Sequence, residues 1–325
     1  MLYSANLRDT ILLNPLSLGA DTLKIISGYA SDTMASWHIK RVSEQFNLPL
    51  KIMLIVGMCR TEGINETVHN GFKELMTAND LPFHSTLSCQ YICEGAPVHS
   101  KLYLWEKNGL PIQSFTGSAN YTQTAFFGGK REAMEDCDPY EAQKYFQMIE
   151  QDSIYCNHAE INEYITIYTS DSVSNIRQGF PSFLDAQFPC VTLSLLTYKG
   201  EIGEKSGLNW GQRAGREKNQ AYIPLPVDIA RTGFFPVNQQ HFTVLTDDGK
   251  QLILRVEQQN DKAITTPLNN SLLGEYFRNR LGLANGAFVS KDDLEKYGRT
   301  NVTFYKLDEE QFFMDFSISG RGDGI

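Results

Sequence analysis

VHSKLYLWEKNGLPIQSFTGSANYTQTAF, residues 98–126, decides how the first half of this chain is read. Asn108-Gly109 is the strongest short hairpin signal, and it lies between two apolar runs, so strands are expected at 99–105 and 112–116. Side chains alternate across a strand, which puts His99, Lys101 and Tyr103 on one face and Ser100, Leu102 and Leu104 on the other. A two-residue turn pairs 107 with 110 and, counting outward, 99 with 118. Ser118 is then expected opposite His99, with Asn120 just past the open end of the hairpin. Pro111 cannot donate to the ladder, and a bulge there shifts this register by one.

Upstream of this hairpin, 23–29 and 51–57 (KIMLIVG) read as buried strands, and 32–46 and 65–78 as amphipathic helices beside them. Further helices are expected at 139–150 and 158–168, which makes the first half an α/β unit. From about residue 171 the texture changes to short β-rich runs punctuated by Gly, Pro, Asn and Asp. A boundary near 180 divides the chain into 1–180 and 181–325. In the second part, strands are expected at 191–198, 241–246, 251–257 and 301–306, with a helix at 270–281, which suggests a small barrel carrying one or two helices. Asp247-Asp248-Gly249 marks a hairpin turn.

At 325 residues, 42% hydrophobic and 21% charged, the chain is long enough for two ordinary domains and is not a disordered or fibrous sequence. The net charge of -9 argues against non-specific wrapping of nucleic acid, although it does not exclude a local basic patch. The six cysteines follow neither a zinc nor a disulfide pattern and are expected to be reduced. No window approaches about 20 apolar residues, and the start lacks the features of a signal peptide, so a cytoplasmic protein without membrane contact is expected. No GxxxxGK[ST] segment is present, so ATP hydrolysis is not expected of this chain.

An imidazole is a competent nucleophile toward phosphorus, and a lysine ammonium and an asparagine amide donate to non-bridging phosphate oxygens. His99, Lys101, Ser118 and Asn120 at one point in space therefore describe a phosphodiester-cleaving site that needs no metal. One histidine can attack, but a second must protonate the leaving oxygen and later activate water. A His-x-Lys alone on a strand is most often a solvated face, and a GSAN alone an ordinary turn; their matched register is what gives them weight.

His99-x-Lys101 followed by Gly117-Ser118-x-Asn120 resembles the HxK and GSxN signature of the phospholipase D superfamily. More specifically, the segment resembles the nuclease domain of NgoFVII-type restriction endonucleases, relatives of BfiI. The resemblance implies a mixed-sheet α/β phospholipase-D-like catalytic domain and an acidic residue orienting the histidine: Glu132 in GGKREAMED is the best match, with Glu135 as the alternative. The superfamily pattern usually continues to an Asp where Glu106 and Lys107 stand here, a departure that argues against a lipase. Many members carry the motif twice in one chain. His38-Ile39-Lys40 is the only other HxK match in the sequence; it falls in an expected helix and lacks a GSxN partner, so a homodimer sharing one site is expected.

The second half supplies two polar arms. SGLNWGQRAGREKNQAYIPLP (206–226) carries Asn209, Trp210, Gln212, Arg213, Arg216, Lys218 and Asn219 among glycines that let backbone approach closely. KAITTPLNNSLLGEYFRNRLGL (262–283) adds Thr265, Thr266, Asn269, Asn270, Ser271, Arg278 and Arg280. Arg and Lys suit guanine edges or phosphates, Asn and Gln suit adenine. Alternatively, the first arm is a solvated loop, and Arg278 and Arg280 hold ion pairs on a helix surface. The arrangement resembles the mainly-β, B3-like DNA-recognition pseudobarrel over roughly 185–320. Together the resemblances imply a site-specific endonuclease for double-stranded DNA, with no cofactor in this chain. They also imply that a separate ATPase or helicase-like subunit using ATP, and a cognate DNA methyltransferase, can accompany it.

Four rival readings remain open. In one, the first domain is an inactive scaffold beside a DNA-binding domain. A second is a non-specific nuclease of the phospholipase D type. A third is a phospholipid-cleaving enzyme. The fourth is a metal-dependent nuclease built on Asp228 and Asp248-Gly249-Lys250.

Overall fold

The structure, a computed structural model, describes residues 1–177, 187–259 and 261–318. Its contacts divide the chain into two compact units, Met1–Ser170 and Asp171–Ile325. The boundary expected near 180 lies outside the described residues, and so does the tail from 319.

The first unit contains strands β1 (Leu2–Tyr3), β2 (Thr22–Ser27), β3 (Lys51–Val56), β4 (Ile64–Asn65), β5 (Thr86–Ile92), β6 (Leu102–Lys107), β7 (Leu110–Gly117), β8 (Met134–Cys137), β9 (Ser153–Tyr155) and β10 (Ile167–Tyr168). Eight of them form a mixed sheet in the order β1-β8-β7-β6-β2-β3-β5-β9, while β4 and β10 make a separate parallel pair. β2, β3 and β5 run parallel; β6, β7 and β8 return antiparallel to their neighbours. The C-terminal ends of β2 and β3, the start of β6, the end of β7 and the start of β8 therefore share one edge of the sheet.

Helix α1 (Asp32–Phe46) starts where Ser31 accepts a hydrogen bond from Met34 N–H and stops at Asn47 in the left-handed region, φ 53°. Helix α2 (Glu66–Thr77) is capped by Asn65. Helix α3 (Pro139–Glu150) is capped by Asp138, which accepts from the N–H groups of Tyr140 and Glu141, with proline at its first position. Ala142, Phe146 and Ile149 of α3 pack on Ile26, Ile55, Leu102 and Leu104 of the sheet. Burying a side chain such as Phe146 contributes about 1.5–3 kcal/mol.

The long helices α1, α2 and α3 fall where helices were expected, at 32–46, 65–78 and 139–150. The helix expected at 158–168 is a single turn, Ile161–Tyr164, followed by β10. Strands β5 and β8 had no clear signal in the sequence; β5 is buried on both sides, so it lacks the alternation of a half-exposed strand. All six cysteines are free.

The second unit holds α4 (Asp171–Arg177), β11 (Cys190–Ser194), β12 (Ile223–Pro224), β13 (His241–Thr246), β14 (Gln251–Glu257), β15 (Ala263–Thr265), α5 (Ser271–Arg280), α6 (Lys291–Tyr297), β16 (Asn301–Lys306) and β17 (Gln311–Asp315). Its seven strands follow the order β11-β16-β17-β13-β14-β15-β12, antiparallel apart from the β13–β17 pair. The edge strands β11 and β12 lie against each other, so the sheet is nearly closed around Leu193, Phe242, Phe304, Phe312 and Phe277. This is the expected barrel. No helix among the described residues is long and apolar enough to cross a membrane.

Candidate active site and DNA-reading arms

The turn at Asn108-Gly109 pairs Lys107 with Leu110 and Glu106 with Pro111, and then the register shifts, so that Trp105 pairs with Gln113 and Leu102 with Thr116. Pro111 has no N–H for the ladder, and the extra residue beside it is the bulge that the sequence allowed. The simple count of 99 opposite 118 is thereby corrected by one residue. His99, Ser100 and Lys101 also precede β6 rather than forming its first residues. The expected faces nevertheless hold: the Ser100 hydroxyl lies 3.0 Å from that of Tyr145 on α3, while Tyr103 on the opposite face donates to the Ala119 carbonyl at 2.8 Å.

All five predicted site residues lie along the sheet edge described above. His99 is exposed, and Lys101 beside it is buried. The Lys101 ammonium donates to the His99 carbonyl at 2.6 Å and lies 3.0 Å from the ring Nδ1. Burial lowers the pKa of this lysine, and the Glu132 carboxylate works against that lowering. Asn120 is held from the end of β2: its Oδ1 accepts from the Tyr29 N–H at 3.2 Å and lies 3.3 Å from the Ser27 hydroxyl, leaving its amide NH2 to donate elsewhere. Ser27 also accepts from Tyr121 N–H at 2.9 Å, so one buried hydroxyl ties β2 to the GSAN turn.

Gly28 explains how His99 and Asn120 come together. A Cβ there would stand 3.0 Å from His99 Cδ2, 3.4 Å from Asn120 Oδ1 and 3.5 Å from Met58 Cγ. The next strand uses the same device, because a Cβ on Gly57 would lie 1.8 Å from the Val98 carbonyl oxygen. Tyr29 completes this side, its ring edge-on to His99 at 5.9 Å and 81°, and its hydroxyl donating to Glu62 at 2.9 and 2.8 Å. That bond to the carboxylate raises the tyrosine's pKa. Ser27, Gly28 and Tyr29 support this edge and were not named from the sequence; the only signal was a small-residue segment, SGYAS, at the end of an apolar strand.

The structure gives Glu132 a different partner from the one the resemblance implied. Its carboxylate accepts from the Ser118 hydroxyl, which in turn accepts from Ala133 N–H at 3.0 Å, and it reaches Lys101 through its field. Ser118 and Glu132 are thus coupled to each other rather than to the imidazole. Glu135 stands within β8 opposite Thr116 and Leu2. Glu106 sits at the far end of β6, buried in an ion pair with Lys24 at 2.8 Å. His38 lies in α1, fully buried, with Nδ1 3.0 Å from the Tyr121 hydroxyl and Nε2 2.8 Å from the Leu12 carbonyl. Its HxK spacing is therefore a coincidence of sequence.

In the second unit the two arms pack on each other. Gly274 of α5 makes room for the first arm, since a Cβ there would lie 1.7 Å from the Asn219 carbonyl oxygen. Several residues singled out for DNA contact turn out to build this junction. Asn209 is buried and bonds both ways to Val289; Asn219 is buried between Glu275 and Gly286 N–H. Arg278 is fully buried and donates to the carbonyls of Ala287, Gly274 and Leu208, while Ser271 donates to Glu217. Thr265 is buried in β15. Asn209, Asn219, Arg278 and Ser271 hold the arms in place. Arg280 is likewise bound, in a bidentate pair with Asp247 at 2.7 and 2.8 Å. That pair, with Asp248 3.3 Å away, uses both carboxylates of the DDG turn, which removes them from a metal-site reading.

Arg213, Arg216 and Lys218 remain exposed, with Trp210, Gln212, Asn269 and Asn270 half-buried beside them. The Arg216 guanidinium stacks 4.0 Å from the centre of the Trp210 ring.

A mixed sheet that gathers HxK and GSxN segments at one edge, followed by a nearly closed seven-stranded barrel with two packed arms, defines a phospholipase-D-type nuclease domain joined to a B3-like DNA-binding domain. Residues 5–163 match the NgoFVII restriction endonuclease N-terminal PLD domain, and residues 184–308 match the NgoFVII C-terminal B3-like DNA-binding domain. The chain belongs to the NgoFVII restriction endonuclease family, as its motifs implied. No curated protein sequence matches it. Solved structures similar to it include NucT from Helicobacter pylori, at 18% identity over 48% of this chain and 97% of that one, TM-score 0.32. A polyphosphate kinase from Porphyromonas gingivalis is similar at 13% identity over 57% of this chain and 28% of that one, TM-score 0.31. A hypothetical Arabidopsis thaliana protein matches at 12% identity over 39% of this chain and 89% of that one, TM-score 0.21.

Proposed function

We propose that this restriction endonuclease acts in the cytoplasm as a homodimer that hydrolyses double-stranded DNA at specific sites, through a phosphohistidine and without a divalent metal. The observation that carries the reading is the convergence of His99, Lys101 and Asn120 on one sheet edge, braced by Ser118 and Glu132. His99 of one subunit forms the N–P bond as the leaving oxygen departs with a proton from His99 of the second subunit. The second imidazole then takes a proton from water, which displaces the first from phosphorus. Lys101 and the Asn120 amide stabilise the charge on the pentavalent phosphate. Glu132 acts on the site through Ser118 and Lys101. In the second domain, Arg213, Arg216, Lys218, Trp210, Gln212, Asn269 and Asn270 are the residues assigned to DNA. No cofactor is assigned to this chain; an ATP-using subunit and a methyltransferase are assigned as separate partners.

Plasmid cleavage tests the reading. Cutting is expected to persist in EDTA, to vanish in His99→Ala, and to yield an acid-labile phosphoprotein when quenched during turnover. Complete loss in EDTA, together with an active His99→Ala enzyme in magnesium, would overturn it.

A further inference from the structure

A cavity of about 200 Å³ opens beside His99 within the first unit. It shares Gly28, Tyr29 and Met58 with the catalytic edge, so its contents would lie one ring away from the imidazole. Tyr29, Tyr168, Val56, Ile64 and Val68 line it together with the polar Asn65, and Glu62 supplies its one charge. Both tyrosines are set by their surroundings. Glu62 holds the Tyr29 hydroxyl, and Gly63, at φ +76°, lies beneath the Tyr168 ring, where a Cβ would stand 3.1 Å from Cδ1.

The lining selects its ligand by chemistry. A carboxylate with no cation among the lining residues repels phosphate, while two tyrosine rings with Val56, Met58, Ile64 and Val68 in one lining favour a flat, mostly apolar body with a hydrogen-bond donor on its edge. A carboxylate has about four acceptor positions, so Glu62 can hold Tyr29 and still accept from an amine. The volume is below the roughly 300 Å³ of drug-sized sites, room for one ring system and not for a whole nucleotide. We infer that this cavity receives a nucleobase flanking the scissile phosphate, extruded from the duplex and held between Tyr29 and Tyr168 with its amino edge toward Glu62. The inference rests on the nuclease reading above and extends it to a base subsite.

The test uses the full chain and duplexes carrying a cut site mapped by plasmid digestion, with each nucleotide around the scissile phosphate replaced in turn by an abasic residue. Wild-type kcat/KM is expected to fall at least tenfold at one position adjoining that phosphate. Val68→Phe, which fills the cavity, is expected to lose at least tenfold on intact DNA and to be indifferent to the same abasic replacement. Tyr168→Ala is 46% exposed in the parent and is the second variant, should Val68→Phe melt early; it is expected to show the same loss of discrimination. Equal cutting of every abasic duplex by wild type, an unimpaired Val68→Phe, or an effect confined to single-stranded substrate would overturn the subsite. A wild-type enzyme that cuts no DNA, or an active His99→Ala, would instead bring down the nuclease reading beneath it.

Discussion

A methyl group on Gly28 has no vacant space to enter, because His99, Asn120 and Met58 all stand within 3.5 Å of where it would be. The glycine is not needed here for a left-handed turn; it is needed because two functional side chains cross over its Cα. Gly28→Ala is expected to leave the melting temperature within a few degrees of wild type while cutting falls about a hundredfold, since displacements near 1 Å cost that much at a reacting centre. Circular dichroism melts beside single-turnover cleavage check it; full activity would show that His99 and Asn120 are not held over this residue. At this scale the sequence was informative about chemistry and poor about support. His99, Lys101, Ser118 and Asn120 could be named from spacing because hairpin pairing converts sequence distance into proximity. Ser27 and Tyr29 could not, because β2 joins β6 across more than seventy residues without a local signal.

At the scale of elements, what could be read was whatever a short-range rule governs. Amphipathic periodicity announces α1 and α2, Asn108-Gly109 announces the turn, and Pro111 announces the bulge. The interlocking of the two arms was not announced, since Gly274 and Asn219 meet only through tertiary packing, and polar residues that look like DNA contacts become internal ties. Elements also carry the acid sensitivity of the first unit. Burial lowers His38 in α1 to about 4, although the Leu12 carbonyl favours its charged form, and burial with the Lys73 charge lowers His69 in α2 to about 4. An unfolded histidine titrates near 6.5, so below that pH the unfolded chain binds protons that the folded one refuses. The stabilisation is therefore complete above pH 6.5 and is lost as pH falls toward 4, about 3 kcal/mol for each histidine. Glu74, pushed up to about 6 by partial desolvation of its carboxylate, acts in the opposite direction, but the residue keeps much of its solvent contact, which screens it. Urea midpoints should drop between pH 7 and 5, less steeply in His38→Gln/His69→Gln; a flat profile would show that neither ring is kept neutral by the fold.

For the whole molecule, an acidic chain that acts on DNA has to concentrate its cations locally. Arg213, Arg216 and Lys218 are exposed together on the first arm, with Arg216 stacked on Trp210. Lys218→Ala is expected to weaken DNA binding about equally across sequences and to lower the slope of log affinity against log salt by about 1. Titrations at several salt concentrations measure it; an unchanged slope would place that lysine away from phosphate.

The sharpest demand of the proposed mechanism is arithmetical. One chain presents one catalytic imidazole, yet the two-step reaction uses two, one bonded to phosphorus and one moving protons. If each cut requires His99 from both subunits, mixing wild-type and His99→Ala chains under conditions that exchange subunits yields active dimers only where both partners are wild type. Activity should then follow the square of the wild-type fraction, so that an equal mixture retains about a quarter of the rate. If each subunit worked alone, the same mixture would retain about half, and the fall would be linear. Binding to DNA, which does not pass through His99, should be constant across the series, so a quadratic loss of cutting at constant binding would locate the shared requirement at the imidazoles themselves.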